Sequence, residues 1–203
     1  MIHVSSFIVS SCVTGFILIR DHNREWPITA EFQETPTDAS SGFPPVARSD
    51  ARVLILGSLP GKRSIDAQQY YAHPQNAFWR IMGELTGADG PYDRRCQALL
   101  EHGIALWDVL ESSVRPGSMD SEIRRGTEKV NDFNDFFQMY GDISQVCFNG
   151  QKAAQLFHQL VLPQLAKTAP QIRVLPSTSP AYAAMPYAEK LERWREAVIS
   201  IWT

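Results

Sequence analysis

Apolar residues along this chain fall into short continuous runs, and between the runs they repeat every three to four positions. Residues 52–56 form the first run, which ends in Gly57. Similar runs occupy 104–109, 144–148 and 172–175. Apolar runs of this length predict strands, the first of them buried. Over 77–86 the period is helical: Phe78, Ile81, Met82 and Leu85 share one face, and Gly87 stops the helix. Further helices are predicted at 93–101, 132–140 and 151–165, the last with Ala153, Leu156, Phe157 and Leu160 inward. Pro186, a favoured first helical residue, opens a closing helix striped by Tyr187, Leu191, Trp194, Val198 and Ile201.

Strands alternating with helices predict an α/β fold, a three-layer αβα sandwich around a four-stranded, mostly parallel sheet. Such sheets bind ligands outside the carboxyl ends of their strands. The chemistry is therefore expected just after Leu56, Val109, Phe148 and Leu175. Segments 57–61, 110–113, 149–150 and 176–180 stand there, and they are rich in small, polar and turn-forming residues.

The chain has 203 residues, enough for one domain and a tail. Residues 34–50 are rich in Pro, Ser, Thr and Asp and read as a linker or wrapping loop. The organisation expected is an extension at 1–42 and a domain at 43–203. No charged residue occurs in 4–19, yet no basic segment precedes it as in a signal peptide. Ser, Thr and Gly break it up too often for a membrane helix, so it reads as extra strands or a poorly ordered leader.

Composition is that of a globular protein, 44% apolar and 20% charged. A net charge of −3 argues against a bulk nucleic-acid binder. It leaves room for a local basic face drawn from Arg63, Arg80, Arg94, Arg95, Arg115, Arg124, Arg125 and Lys129. Cys12, Cys96 and Cys147 have no metal-binding spacing, so no metal site is expected. Their small, odd number fits a reducing cytoplasm.

Two glycines and a proline make 57–61 a tight turn that lets a ligand approach the backbone. It is no nucleotide-phosphate loop, because Gly61-Lys62 is followed by Arg63 rather than Ser or Thr. Residues 70–79 then crowd two tyrosines, His73, Pro74, Asn76, Phe78 and Trp79 together.

Gly57-Ser58-Leu59-Pro60-Gly61, joined to Tyr71-Ala72-His73-Pro74-Gln75-Asn76 and Phe78-Trp79, resembles the first motif of the mismatch-specific uracil/thymine DNA glycosylases. With Ser-Leu-Pro and Tyr-Tyr-Ala-His-Pro-x-Asn, it is more similar still to the hypoxanthine-DNA glycosylases of the same uracil-DNA glycosylase superfamily. Ser177-Thr178-Ser179-Pro180-Ala181 resembles the superfamily's second motif. The resemblance covers 43–203. It departs from the uracil enzymes at Leu59, where the mismatch-specific branch carries a water-orienting Asn. The Asp of the classical uracil enzymes is missing too, and Ser177 stands in place of their second-motif His.

The resemblance implies a monofunctional enzyme that hydrolyses the N-glycosidic bond of a deaminated base in DNA, hypoxanthine foremost. Uracil or mismatched thymine is an alternative substrate. A damaged-DNA-binding module without catalysis is another reading, motivated by Leu59 and Ser177. A small-molecule hydrolase is disfavoured, since no Gly-x-Ser-x-Gly elbow occurs. Such a glycosylase flips the nucleotide into a pocket. Gly57, Ser58, Leu59 and Pro60 would shape that pocket, and Tyr71 would stack on the base, with Phe78 and Tyr70 as second choices. Asp108 and Asn149 would meet the base edge. In the hypoxanthine branch the Asn of His-Pro-x-Asn is catalytic, which corresponds to Asn76. The residue types leave a rival, because Asn before a helix is also a favoured N-cap. Ser177, Thr178 and Ser179 would hold DNA phosphates, and Ala181 and Tyr182 would wedge into the gap left by the flipped base. No cofactor, no membrane and a monomeric state are expected.

Overall fold

The structure, a computed structural model, describes residues 38–166 and 168–199. The strands or leader expected in 4–19, and Ile201 of the closing stripe, lie outside the described residues. The described residues fall in one compact unit, Pro36–Thr203.

Four parallel strands form the central sheet. With β1 at Ala39–Ser41 and β4 and β5 at Leu110–Val114 and Lys129–Val130, the sheet strands are β2 (Val53–Gly57), β3 (Ile104–Asp108), β6 (Gln145–Asn149) and β7 (Gln171–Leu175). Their order is β3-β2-β6-β7. All five residues of β2 and of β3 are buried, Asp108 included, whereas β7 at the sheet edge is largely exposed.

Register shows which side chains share a face. Leu56 pairs with both Trp107 and Phe148, so these three form one row. Helix α4 (Phe133–Met139) and the helical segment opened by α5 (Gln151–Leu156) cover that row. Trp107 stacks on Phe136 at 4.7 Å, and Phe148 meets Phe157 at 5.1 Å. On the opposite face, buried Gln145 donates to the carbonyl of Ala197 at 2.8 Å. Helix α6 (Tyr187–Ile199) therefore lies there, with α2 (Phe78–Thr86) against it through Phe78 and Trp194, 5.9 Å apart and edge to face. Helix α3 (Tyr92–Glu101) packs beside α2 and β3. The expected αβα layering is present.

Three details differ from the sequence reading. The helix predicted over 151–165 is α-helical only to Leu156; it continues as a wider π turn, Phe157–Val161, and a tighter one, Leu162–Gln164. Helix α1 (Lys62–Ala67) follows the glycine turn, too short to show a period. A second, antiparallel sheet, β1-β4-β5, had no alternating pattern to betray it. Its β4 follows β3 after one residue, and β1 ends just before the expected domain start at 43.

Parallel register brings the four strand ends to one edge. Gly57 lies beside Asp108, and Asn149 beside Leu175. The central strand β2 has its chain continuation on β3 and its other neighbour in β6, so the topology reverses between β2 and β6 and leaves a crevice there.

Trp194 is fully buried, and its indole N–H donates to the carbonyl of Pro176 at 2.9 Å. Trp194→Ala should cost about 3–5 kcal/mol. Chemical denaturation of both proteins checks this.

Candidate active site

The crevice opens into a cavity of about 550 Å³, within the range of roughly 300–1,000 Å³ usual for small-molecule sites. Two of its walls are the loops that follow β2 and β7. Backbone bonds hold the first loop to the strand beside it: Val109 N–H donates to Gly57 at 2.9 Å, and Leu110 N–H to Ser58 at 3.0 Å.

Gly57 is where the chain tolerates no side chain. A Cβ there would overlap Oδ1 of Asp108 and come within 3.1 Å of the Tyr71 hydroxyl. Asp108 is consequently tucked into the floor of the cavity, 3% exposed. Its Oδ2 has no hydrogen-bond partner among the described residues. Burial, and then the charge of Asp120, push the Asp108 carboxyl up to about 8, against the opposing pull of Arg115.

Tyr71 lines the same cavity. Its backbone is left-handed, φ 53°, which for a residue with a side chain costs about 1–2 kcal/mol. The neighbouring Tyr70 anchors the segment: its carbonyl accepts the Trp79 indole N–H at 2.8 Å, and its N–H donates to the Tyr92 hydroxyl at 3.1 Å. The Tyr71 ring stacks on Phe78 at 4.0 Å. The Tyr71 hydroxyl lies beside the Asn149 amide but makes no well-formed hydrogen bond. Burial first, then Asp108, hold it well above the usual phenol range.

Phe78 does not face the cavity. It is fully buried and supports Tyr71 from behind, because the first turn of α2 points its side chain into the layer beneath α6. Thr178, expected to meet phosphate, is 1% exposed and has another task. Its hydroxyl accepts from Asn149 Nδ2 at 2.7 Å, its N–H donates to Asn149 Oδ1 at 2.8 Å, and its carbonyl accepts from Ala77 at 3.0 Å. Thr178 thus rivets the ends of β6 and β7 to the start of α2. Asn149 spends one donor and one acceptor on this junction, which leaves a second amide hydrogen on the side of the Tyr71 hydroxyl. Gly150 sits under the junction with φ 98°, where a Cβ would press on Ser177 at 3.0 Å.

Asn76 lines the cavity, and its Oδ1 accepts from Phe78 N–H at 3.0 Å. The carbonyl end therefore braces the first N–H of α2 from one residue outside the helix, whose N-cap is Ala77 without a side-chain bond; the rival reading holds only in this displaced form. No hydrogen bond is recorded for the other end of the amide among the described residues, so this contact does not exhaust the side chain. His73 Nδ1 accepts from Gln75 N–H at 3.2 Å, a turn contact. Ser177 and Ser179 accept amide hydrogens at 3.2 and 3.3 Å, which leaves each hydroxyl proton to donate. Ala181 and Tyr182 are exposed at the rim.

The third wall escaped sequence reasoning. Arg115, expected on a solvated basic face, is 2% exposed. Its guanidinium donates to the carbonyls of Leu59 and Pro60. Asp120 of the short turn Asp120–Glu122 accepts from the Ser58 hydroxyl at 2.6 Å, and Ser118 accepts from Lys62 N–H at 3.2 Å. Segment 115–122 thus folds back over the glycine turn some fifty residues earlier. A buried Arg amid Pro, Gly and Ser carries no periodic signal that could have revealed it.

Residues 44–201 match the Uracil DNA glycosylase superfamily. The chain belongs to that superfamily. A hypoxanthine DNA glycosylase of Methanosarcina acetivorans is 41% identical over 143 residues, covering 69% of this chain and 86% of that one. A protein of the same name from Methanosarcina barkeri is 42% identical over 117 residues, 56% of this chain and 73% of its own. A solution NMR structure of a uracil DNA glycosylase candidate from Methanosarcina acetivorans superposes with a TM-score of 0.68 at 33% identity, covering 81% of this chain and 99% of that one. The glycosylase fold expected from the two motifs is the fold observed.

The raised carboxyl has a consequence for stability. Asp108 is neutral when folded and ionises more readily when unfolded, so its stabilising contribution is complete below about 3.8 and is lost as pH rises toward about 8. Asp108→Asn removes the titration. The variant should gain stability relative to the unaltered protein as pH is raised from 4 to 8, by urea unfolding at a series of pH values. A constant difference between the two would contradict it.

Proposed function

We infer that this protein is a monofunctional DNA glycosylase that hydrolyses the N-glycosidic bond of hypoxanthine in DNA. The observation that carries this reading is the single cavity shared by the two motif loops, in a chain whose relatives carry that activity in their names. Its volume admits a flipped purine nucleotide.

Tyr71, backed by Phe78, gives the base a platform, and such stacking is worth roughly 1–3 kcal/mol per base. Gly57 to Pro60 let the base approach the backbone. Asp108 and the remaining hydrogen of Asn149 meet its edge. As the bond to the base lengthens, positive charge grows on the sugar, as in other glycoside hydrolyses. Asn76, its carbonyl oxygen held by Phe78 N–H, directs its amide hydrogens to one lone pair of a water. The other lone pair of that water attacks C1′ as the bond to the base breaks, and the departing base takes up the water's proton. Ser177 and Ser179 donate to phosphates, which position the strand without reading sequence. Ala181 and Tyr182 fill the gap left in the duplex. Lys190 steadies that wedge, donating to the Tyr182 carbonyl at 3.2 Å. The enzyme works as a monomer in the cytoplasm, and no step calls for a cofactor.

Oligonucleotides carrying deoxyinosine, deoxyuridine or a mismatched thymine, treated with the protein and then with alkali, test the activity. Cleavage at deoxyinosine is expected, and no abasic product from any of them would sink the reading. Asn76→Asp keeps the acceptor for Phe78 N–H and removes the amide donors. Its excision rate should fall at least about a hundredfold with the fold intact by circular dichroism. Undiminished activity would reduce Asn76 to a structural contact with the start of α2.

A further inference from the structure

We propose that Met119 is a second wedge, inserting its side chain into the DNA base stack from across the cavity mouth that Tyr182 borders. This rests on the base-excision reading and adds to it a duplex contact from the segment that follows β4.

Exposure and position together set Met119 apart. The residue is 51% exposed and stands among Gly117, Ser118, Asp120 and Ser121. Lone exposed hydrophobics are ordinary on a protein surface. Met139, at the end of α4, and Val174, on the edge strand β7, are two such residues. Neither of those lines the cavity, whereas Met119 and Tyr182 both do. Met119 belongs to the wall formed by 115–122 and Tyr182 to the wall that follows β7. Two apolar side chains therefore rise from different walls of one opening.

The turn is built to present this side chain. Ser118 accepts from Lys62 N–H at 3.2 Å, and Asp120 accepts from the Ser58 hydroxyl at 2.6 Å. Met119 thus sits between two residues tied to the wall that follows β2. Its own backbone is satisfied by Glu122: its N–H donates to Oε2 at 2.8 Å, and its carbonyl accepts from Glu122 N–H at 2.9 Å. A Cβ at Gly117 would overlap the Glu122 carboxyl, so the bare glycine is what lets that carboxyl reach Met119. The thioether takes a weak contact from the backbone of Glu122, yet half of the residue remains in solvent.

The chemistry of the rim names the occupant. Lys62 and Arg63, at the start of α1, are exposed on it, and neither is in an ion pair among the described residues. Two such cations suit a phosphate backbone. Asp120, the nearby acid, is turned inward onto Ser58. A thioether arm beside the cations suits the faces of stacked bases, because methionine is among the side chains that proteins insert between base steps and its sulfur contacts aromatic rings favourably. A flipped nucleotide leaves a gap with a neighbour on each side. With Tyr182 at one neighbour, Met119 from the facing wall reaches the other and keeps the stack from closing.

The test uses a deoxyinosine duplex whose lesion sugar carries a 2′-fluorine, which slows bond cleavage. A 2-aminopurine, whose emission rises on unstacking, is placed either 5′ or 3′ to the lesion. The unaltered protein and Met119→Leu should raise emission at both positions. Met119→Ala should lose the rise at one position and keep it at the other. Its single-turnover excision rate on an unfluorinated deoxyinosine duplex should fall at least about fivefold, the lower range for losing one stacking contact. Met119→Leu, which keeps the volume, should stay within about twofold. A rise that Met119→Ala keeps at both positions overturns the inference. So does a rise lost at both, which reports weakened binding as a whole, and so does no rise with the unaltered protein. None of these touches the base-excision reading, which falls only if the unaltered protein releases no base from the duplex. Met119 lies outside the buried core, so Met119→Ala keeps the fold, which circular dichroism checks.

Discussion

The missing side chain at Gly57 is the constraint on which the site depends. Gly57 closes the central strand and pairs with Asp108 across the sheet. Because no Cβ stands there, the carboxyl can turn inward and the Tyr71 hydroxyl can close over the same spot. Burial of the carboxyl follows from that packing, and its retained proton follows from the burial. The left-handed backbone at Tyr71 belongs to the same arrangement. It is held by Tyr70, which is tied to both Trp79 and Tyr92, and by the stack on Phe78.

Around this floor the walls are assembled from distant parts of the chain. Thr178 joins three of them through Asn149 and Ala77. Arg115 fixes a fourth by donating to carbonyls of the glycine turn that no strand partner reaches. Each junction satisfies backbone groups that would otherwise be buried without partners. The site is therefore preorganised by the same hydrogen bonds that stabilise the loops. Two carboxyls, Asp108 and Asp120, stand near one another in it, and one buried arginine lies between their fields.

Asn76 shows how one side chain serves two demands. Its carbonyl end holds the first N–H of α2, the helix that seats Phe78 under Tyr71. Its amide hydrogens remain toward the cavity. A turn contact and chemistry are alternatives only when the whole side chain is counted as one group. Counted atom by atom, the bond to Phe78 is what aims the rest.

The order of strands and helices, the parallel sheet and the edge that bears the site were legible in the sequence. Buried strands and amphipathic helices must advertise themselves by apolar runs and periods, and parallel sheets place ligands at their carboxyl ends. Gly57 and Asn149, at those ends, could be named for the same reason, whereas Asp108 was named through the family resemblance. The antiparallel sheet, the burial of Arg115 and the approach of Asp120 to Ser58 were not legible. They depend on contacts between segments far apart in sequence, and no local period records such contacts. The environment of each side chain was likewise left to the tertiary structure. Sequence could name Phe78, Thr178 and Asp108 as candidates. Only packing could seat Phe78 behind Tyr71, enclose Thr178 as a rivet, and leave Asp108 dry enough to keep its proton.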